Sequence, residues 1–485
     1  MKIIVQNSFC KVEGYVSLDA HDLITQLLTY HNDIESEKGQ IFYQMKQAKR
    51  FGNKKQYGMC VSRLKQLEAG EYVCLYKQNK FPTGLLNIVL EGLKVLGTTF
   101  HLEDLRENPG STVILRWNNK PFEPRYYQNE MIQAGIKAGR GVFEAAVGSG
   151  KSLIMANIIK ETSVKSLVIV PSKALSSQLY NDFKNWFGFG NVQLLDAEKI
   201  RKLTSVKPIS IVTVQSLASL KKTGEFNKFG KMVDSIHLDE LHHAASKSYV
   251  DLLEDLEHVF YRFGYTGTFL RNDNKTLELW GVLSNVLYKY PAHQAIKEGF
   301  LTPLELYIHD LPGKPHIDYQ TEYDNSYSAN PDLLAKIYEI CQNSSVADQI
   351  LILVSKKDKV GLIIHEYLNT MNLQNSYING DNSKEEIIGT IEAFNEKQVR
   401  ILIGSSVLGE GVNISSTDRL ILCNGGKSEI TIVQALGRAI RLHPGKKIAR
   451  VHDFRFQETN YMLKHQLERL DSIVSNFNPI KVEYQ

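Results

Sequence analysis

At 485 residues the chain is too long for one hydrophobic core, so roughly two to four domains are expected. A net charge of +4, with 43% hydrophobic and 23% charged residues, fits an ordinary globular protein and gives no global electrostatic argument for nucleic-acid binding. The five cysteines form no CxxC pair, which predicts a reducing compartment and no zinc site. The sequence shows neither a signal peptide nor an apolar run near the ~20 residues of a membrane span, so a soluble intracellular protein without a membrane partner is expected.

Residues 1–110 combine short strand patterns with helical ones. KIIV and EYVCLYK predict strands, and the apolar spacing of TGLLNIVLEGLKVLG predicts a helix that packs in a core rather than one that inserts into DNA. Positive charge is concentrated between residues 44 and 80, where nine Lys or Arg accompany two Glu and the local charge is +7. We expect a small α+β accessory module here, with a surface for nucleic acid.

Two aromatic residues, Phe51 and Tyr57, lie inside this basic stretch. Their charged neighbours are Lys49, Arg50, Lys54 and Lys55. Basic residues beside aromatic rings suit a surface that follows a nucleic-acid backbone and stacks bases. Burial of both rings in a core, with lysines that serve only solubility, is an alternative of nearly equal weight.

After the module, NPGSTVILRWNNKPFEP predicts a strand inside a connector that is punctuated by Pro and Asn. Apolar runs then alternate with helical segments in two series. The first series is SLVIVPS, ISIVTVQS, SIHLDE and YRFGYTGT, and the second is QILILVSK, NSYING, VRILIGSS, RLILCNG and ARVHDF. Such alternation predicts βαβ units around buried parallel sheets.

The polar stretch LYIHDLPGKPHIDYQTEYDNSYSANP separates the two series and is expected to be a linker with an excursion. Two α/β domains, at residues 111–308 and 309–485, are therefore expected behind the module at 1–110. The second of them is expected to end in a helical extension.

Residues 145–152, AAVGSGKS, match the P-loop template with Ala at the first small position. Glycines let backbone N–H groups converge on phosphate, and the next helix directs its positive N-terminus at the same anion. Gly148, Ser149 and Gly150 are expected to form the cradle. Lys151 is expected to reach the β- and γ-phosphates, and Ser152 to bind Mg²⁺. A Gly–Ser turn ahead of a core helix is the alternative, and the strand–loop–helix context disfavours it.

IHLDELHH places Asp239 and Glu240 at the end of an apolar strand, downstream of the P-loop. A P-loop enzyme needs a carboxylate that holds Mg²⁺ and a group that activates the attacking water. Asp239 suits the first role and Glu240 the second, although an isolated Asp–Glu pair is most often a solvated loop. His242 and His243 have no supporting ligand cluster, so a metal site at these two histidines is rejected.

In QALGRAIR, residues 434–441, helical spacing predicts that Gln434, Arg438 and Arg441 share one face. Two guanidinium groups on one face can clamp a γ-phosphate presented by a facing domain. A solvated amphipathic helix or an ion-pair network is the alternative.

In this order the motifs resemble those of the superfamily 2 helicases and translocases, whose DExH box is matched by DELH. The resemblance implies nucleotide contacts at RYYQ and SSVLGEGVN through Arg125, Gln128, Gly411 and Asn413. It implies DNA contacts at Pro171, Ser172, Gln178, Thr213, Gln215, Ser405 and Ser406. It also implies coupling of the ATP state to DNA through His242, Thr266, Thr268 and Arg271. TGT carries Gly where the family usually has Ala.

TGTFLRNDNK, with Arg271 and Asp273, resembles the phage UvsW-like, XPB- and RecG-related branch of this family. KRFGNKKQYG followed by KFPTGLLNIVLEGLKVLG is similar to the small DNA-binding module of the phage enzymes. The implied fold is two tandem RecA-like parallel-sheet domains, with ATP and Mg²⁺ bound between them.

The implied function is ATP-dependent remodelling of branched DNA, namely forks, D-loops and Holliday junctions. The setting would be phage-type replication, recombination and repair in the host cytoplasm, by a monomer with recombination or replication proteins as candidate partners. An RNA helicase, or a non-catalytic DNA-binding subunit with a relic nucleotide site, remains an alternative.

Overall fold

The computed structural model describes residues 1–32, 34–241, 247–267, 276–328, 330–355, 360–405, 414, 416–426 and 428–485. Its strands form a four-stranded sheet, a two-stranded sheet and two seven-stranded sheets. Within the described ranges, no helix is both long enough and apolar enough to cross a lipid bilayer.

The N-terminal module holds the two smaller sheets. Its elements are β1 (Lys2–Val5), β2 (Phe9–Glu13), α1 (Leu18–Leu27), β3 (Thr29–His31), α2 (Glu35–Arg50), α3 (Lys54–Ala69), β4 (Tyr72–Cys74), β5 (Lys80–Pro82), α4 (Leu86–Val95) and β6 (His101–Asp104). The four-stranded sheet has the order β5–β2–β1–β6, and β1 pairs antiparallel with β2 and parallel with β6. Helices α1 and α4 pack together on its apolar face, as the apolar spacing of TGLLNIVLEGLKVLG predicts for α4.

Helices α2 and α3 form a hairpin that projects from the paired strands β3 and β4. Ile41, Ala48 and Cys60 are buried between the helices, whereas residues 51–59 at the turn are all exposed. Phe51 is 76% exposed, and the Arg50 guanidinium lies 6.0 Å from the centre of its ring. This exposure rules out the alternative in which the aromatic rings of the basic stretch are core residues.

The first seven-stranded sheet has the order β13–β7–β12–β11–β8–β10–β9, with every pair parallel. Its elements are α5 (Tyr126–Ala138), β7 (Arg140–Ala145), α6 (Lys151–Thr162), β8 (Ser166–Val170), α7 (Lys173–Phe187), β9 (Val192–Leu195), α8 (Ala197–Arg201), β10 (Ile209–Thr213), α9 (Val214–Lys222), α10 (Phe226–Gly230), β11 (Ser235–Leu238), α11 (Lys247–Glu254), β12 (Tyr261–Thr266), α12 (Thr276–Leu283), β13 (Val286–Tyr290) and α13 (Ala292–Lys297). The central strands are buried on both faces, which explains why they are continuous apolar runs.

The second seven-stranded sheet has the order β16–β17–β15–β18–β19–β14–β20, again with parallel pairs throughout. Its elements are β14 (Leu304–Leu311), α14 (Tyr319–Tyr323), α15 (Pro331–Gln342), β15 (Ile350–Val354), α16 (Val360–Thr370), β16 (Ser376–Ile378), α17 (Lys384–Asn395), β17 (Ile401–Gly404), β18 (Arg419–Cys423), α18 (Glu429–Ala439), β19 (Ala449–Phe456), α19 (Tyr461–Phe477) and β20 (Lys481–Tyr484). The two buried parallel sheets confirm the predicted α/β class and the tandem arrangement.

Two local expectations from the sequence are wrong. Residues 108–124 form no strand, because amides in this stretch bond to carbonyls at helix ends rather than to a neighbouring strand: Val113 N donates to Ser163 O and Asn118 N to Trp186 O. The stretch expected to be a linker begins with strand β14, which pairs with β19 over eight residues. A boundary at 308/309 would divide this strand, so we place the start of the second α/β domain before Leu304.

The N-terminal module packs closely against the first large sheet. Helix α12 contributes Leu279 and Leu283 to the core of the first α/β domain and turns Leu277 and Trp280 into the core of the module. Gly84 sits directly on the end of this helix, where a Cβ would lie 1.9 Å from the Trp280 carbonyl oxygen. We call this contact between the module and α12 the seam.

Polar contacts join the module to the starts of two central strands. Arg140 Nη2, at the beginning of β7, donates to Asn7 O, and Arg262 Nη2, in β12, donates to Ser8 Oγ. Both arginine side chains are almost fully buried. At the base of the hairpin, Tyr30 Oη donates to a carboxylate oxygen of α12 at 2.5 Å. The module is therefore fixed to the first α/β domain rather than tethered beside it.

Candidate nucleotide site between the two parallel sheets

Strand β7 ends at Ala145, and a short loop connects it to helix α6. Gly148 and Gly150 in this loop have φ angles of +86° and +85°, where other residues would be strained. Both glycines line a cavity of about 420 Å³, together with Lys151 and Ser152 at the start of α6. A helix N-terminus on a glycine loop, with its lysine at the cavity, is the arrangement that binds phosphate.

The buried side chain of Gln128 supports the loop from behind. Its Nε2 donates to Ser149 O at 2.7 Å, and its Oε1 accepts from Arg125 N at 2.8 Å. Tyr127 Oη also donates to Ser149 O, at 2.8 Å. The Ser149 hydroxyl is buried with no hydrogen-bond partner among the described residues. Arg125 itself lines the cavity, 4.4 Å from the centre of the Phe300 ring. Adenine recognition by Arg125 and Gln128 stays a prediction.

Strand β11 leads Asp239 and Glu240 to the same cavity. Asp239 is buried, and its Oδ1 accepts from Glu240 N at 3.0 Å. Glu240 has a φ of +48°, an unusual conformation for a residue other than glycine and one that concentrates at functional sites. Its Oε1 lies 3.8 Å from Lys151 Nζ, so the acidic pair and the phosphate lysine meet across the cavity.

One buried histidine stabilises the strand that carries this acidic pair. The ring of His237 in β11 is bonded to Ser235 Oγ at 2.8 Å and to Tyr265 Oη at 3.0 Å. Burial lowers the pKa of His237 to about 3, so the ring is neutral at physiological pH. The histidine therefore serves the sheet and does not take part at the cavity.

Helix α18 brings Gln434 and Arg438 to the cavity from the second sheet. The helix ends at Ala439 because Ile440 caps it with a non-helical backbone. Arg441 therefore lies two residues beyond the helix, and the prediction that it shares a helical face with Gln434 and Arg438 is wrong.

Arg441 nevertheless lines the cavity. Its Cγ lies 3.6 Å from where a Cβ on Gly148 would be, so the arginine reaches the phosphate loop of the other domain. Burial lowers the pKa of Arg441, and the nearby Glu240 carboxylate opposes this shift.

The two domains touch directly at Val147 of the phosphate loop. A Cβ on Gly437 in α18 would lie 2.4 Å from Val147 Cβ, so only glycine permits this approach. A Cβ on Gly267 would lie 2.8 Å from Val147 Cγ2 and 3.1 Å from Lys151 Nζ. The glycine in TGT, where the family usually has alanine, is thus matched to the bulky valine beside it.

The two segments predicted to grip DNA from the first sheet lie side by side, since β8 and β10 are adjacent strands. Gln215 Nε2 donates to Pro171 O at 2.9 Å, which joins the segments directly. Ser172 and Thr213 use their hydroxyls to cap α7 and α9, so these two hydroxyls already have local hydrogen-bond partners.

Other predicted positions lie elsewhere. Gln178 lines the nucleotide cavity, and its contact with DNA stays a prediction. Ser405 is buried after β17, and Thr266 is buried at the end of β12. The remaining predicted residues lie outside the described residues: His242, Thr268, Arg271, Ser406, Gly411 and Asn413.

Apolar residues complete the cavity and were missed by sequence reasoning: Leu175, Phe300, Leu301 and Leu442. Leu301 approaches to 3.1 Å from where a Cβ on Gly148 would be. No motif marks these positions, because a leucine beside a nucleotide and a leucine in a core look alike in sequence. Phe300 and Leu301 reach the cavity through the connection between the two domains, whereas Leu175 comes from α7 and Leu442 from the segment after α18.

A phosphate loop and an acidic pair on one parallel sheet, facing arginines from a second, define a two-domain P-loop nucleoside triphosphatase. Family models agree with this class: residues 121–271 match the type III restriction enzyme res subunit, and residues 331–443 match the helicase conserved C-terminal domain. The chain belongs to the superfamily 2 helicases and is an ATP-hydrolysing enzyme.

Individual relatives agree with this assignment. The chain is 25% identical over 390 residues to the ATP-dependent DNA helicase uvsW of Enterobacteria phage T4, covering 73% of this chain and 75% of the relative. It is 25% identical over 359 residues to the DNA 3'-5' translocase XPB2 of Sulfurisphaera tokodaii, covering 66% and 79%. Among solved structures, a fragment of an HsdR subunit of a type I restriction enzyme from Vibrio vulnificus YJ016 shares the fold, with a TM-score of 0.59, 20% identity and coverage of 75% and 69%.

Proposed function

We propose that the protein is a DNA helicase or translocase that uses ATP to remodel branched DNA, such as forks, D-loops and Holliday junctions, in phage-type replication, recombination and repair. The observation that carries the proposal is the basic hairpin of α2 and α3, fixed to the same α/β domain that carries the phosphate loop and the acidic pair. Relatives named as a DNA helicase and a DNA translocase support DNA as the substrate.

In this proposal, the phosphates of ATP bind to the loop at Gly148–Gly150. Lys151 neutralises the β- and γ-phosphates, and Glu240 orients the attacking water. Arg438 and Arg441 stabilise the charge that develops on the γ-phosphate, since both line the cavity from the facing domain.

Mg²⁺ fits the residues at this site. The Ser152 hydroxyl and the Asp239 carboxylate line one cavity, and hard oxygen groups of this kind are what Mg²⁺ prefers. Bound there, the ion would supply positive charge that offsets the negative charge of the phosphates. We propose Ser152 and Asp239 as its protein ligands, the latter directly or through water.

The hairpin supplies the DNA contact in this proposal. Its tip carries Lys49, Arg50, Lys54 and Lys55, all exposed, around the exposed Phe51 ring. Lysines and arginines on a projecting turn attract phosphates without regard to sequence. Exposed aromatic rings offer stacking surfaces for the unpaired bases that occur where a duplex branches.

The test compares the wild type with a quadruple variant, K49Q/R50Q/K54Q/K55Q. Fork affinity is measured across a salt series, together with ATP hydrolysis stimulated by forked DNA, single-stranded RNA and duplex RNA. Loss of about four phosphate contacts should weaken fork binding and flatten the log–log salt slope by up to about one unit per contact. The matched control is K49R/K54R/K55R, which keeps every charge and should retain both affinity and slope.

The outcomes separate the competing functions. Equal affinity and slope for the quadruple variant would remove the hairpin from DNA binding and favour recruitment of another protein. Stimulation by RNA alone would make the protein an RNA helicase. Absence of ATP hydrolysis with saturating fork would identify a DNA-binding subunit with a relic nucleotide site.

A further inference from the structure

The position of Arg441 needs an explanation, because the residue lies beyond the end of α18 and its N–H reaches Arg438 O at 3.2 Å, three residues back, instead of making the α-helical bond four residues back. Three carbonyl groups follow one another at this end, those of Ala439, Ile440 and Arg441. Carbonyls at the end of a helix have no partner within the helix and need donors from elsewhere. The donors that satisfy them decide where the Arg441 backbone sits.

Thr302 supplies two of these donors. Its backbone N–H donates to Ile440 O at 2.7 Å, and its hydroxyl donates to Arg441 O at 3.2 Å. Thr302 is 1% exposed and lies in the connection between α13 and β14. The preceding residue, Leu301, packs on Gly148, so adjacent residues of the connection contact the phosphate loop and the Arg441 backbone.

Lys446 supplies the donor for the remaining carbonyl, that of Ala439. Its ammonium donates to Ala439 O and Thr417 O and lies 3.5 Å from Arg441 O. Three acceptors match the three protons of a lysine ammonium. A positive charge at the C-terminal end of a helix is also favoured by the helix dipole.

We propose that Thr302 and Lys446 are positioning residues that set Arg441 against the phosphate loop by holding the backbone that follows α18. The inference rests on the proposed role of Arg441 at the γ-phosphate. Neither residue lines the cavity itself, and both contact the backbone of Arg441, so each acts through Arg441 and not on the nucleotide itself.

The two residues are expected to affect turnover more than nucleotide binding. An arginine that acts on charge developing at the γ-phosphate contributes mainly in the transition state. Displacement of a catalytic group by even 1 Å can cost a large factor in rate. Loss of the hydrogen bonds from Thr302 or Lys446 to the end of α18 should therefore lower kcat and leave KM for ATP nearly unchanged.

The experiment measures ATP hydrolysis by the full chain with saturating forked DNA. Lys446→Met removes the ammonium and should lower kcat about tenfold. Thr302→Val is nearly isosteric, removes one hydroxyl donor and should lower kcat about threefold. KM for ATP should stay within about twofold for both variants. Lys447→Met is the matched control, because this neighbouring lysine is exposed, and its kcat should equal that of the wild type.

A double-mutant cycle with Arg441→Ala separates positioning from general destabilisation. Residues that act through Arg441 should have little further effect once its side chain is gone, so Lys446→Met should change kcat by less than about twofold in that background. A tenfold loss in both backgrounds would mean a purely structural role and would overturn the inference. Should Lys446→Met fail to fold, Thr302→Val in the same cycle gives the decision.

The failure of the inference and of the proposed function are distinguishable. Normal kcat for Arg441→Ala would refute the role of Arg441 itself. A strong loss of kcat for Arg441→Ala, with normal kcat for Lys446→Met and Thr302→Val, would keep the role of Arg441. It would refute the inference that Thr302 and Lys446 position this arginine.

Discussion

Replacement of Gly84 by alanine tests whether the N-terminal module is an integral part of the first α/β domain. The added Cβ would lie 1.9 Å from Trp280 O and 2.7 Å from both Gly281 O and Ser284 N. All three atoms belong to the backbone, so no side chain can move aside. To reach an ordinary contact, the module and α12 must separate by roughly 1.5 Å.

The expected cost follows from this geometry. Overpacking against rigid neighbours costs about 1–3 kcal/mol. Separation at the seam also weakens the Tyr30–Glu278 hydrogen bond, and a bond to a charged acceptor contributes about 1.5–3 kcal/mol. We therefore expect Gly84→Ala to destabilise the seam by about 3 kcal/mol.

Urea unfolding followed by tryptophan fluorescence measures this effect. Trp280 lies at the seam, and a Trp117→Phe/Trp186→Phe background leaves it as the single reporter. Gly58→Ala is the control in the same module: a Cβ there meets nothing within 4 Å, and alanine in a helix should stabilise by up to about 1 kcal/mol. An unchanged midpoint for Gly84→Ala would refute the rigid seam and support a loosely attached module.

Four further predictions concern the ATP site and the cores. Lys151→Ala should abolish ATP hydrolysis but leave fork affinity within about twofold. Glu240→Gln should bind nucleotide normally yet stall turnover, and hydrolysis of ATP by this variant at the parental rate would contradict the role of Glu240 at the attacking water. His237 is buried in its neutral form, with a pKa of about 3 in the folded protein against about 6.5 in the unfolded chain. Its contribution to the free energy of unfolding should therefore be complete above pH 6.5 and fall as the pH drops, by about 2 kcal/mol at pH 5. In urea unfolding across this pH range, His237→Gln should lack this fall in the free energy of unfolding. Arg469→Met should cost about 3–5 kcal/mol in thermal or urea unfolding, because it leaves the buried Asp453 carboxylate without its 2.9 Å partner, and adding Asp453→Asn should recover part of the loss.

The sequence was informative wherever function and strand pattern are local. The phosphate loop, the Asp239–Glu240 pair and the buried strands are contiguous runs whose residue types determine their own conformation, so each lies where the pattern predicts. The cavity combines them because the carboxyl ends of parallel strands meet at one edge of a sheet.

Other features depend on contacts between distant segments. Arg441 leaves the helix because Ile440 caps it, although its spacing from Gln434 suits a continuous helix. Strand β14 begins a polar stretch, and its partner β19 lies far along the chain. The match between Gly267 and Val147 likewise becomes visible only when two loops are brought together.

The length of the hairpin of α2 and α3 makes the position of its tip sensitive to the angle at its base. Each helix has 16 residues, so its length is about 24 Å at ~1.5 Å per residue. Its pivot is the strand pair β3–β4, which is bonded to α12 through Tyr30. A tilt of about 5° at that pivot would move the tip at Phe51 by about 2 Å, more than half of the ~3.4 Å rise between successive base pairs. A tilt too small to disturb the sheet would thereby move the tip by a distance comparable to one step along a duplex.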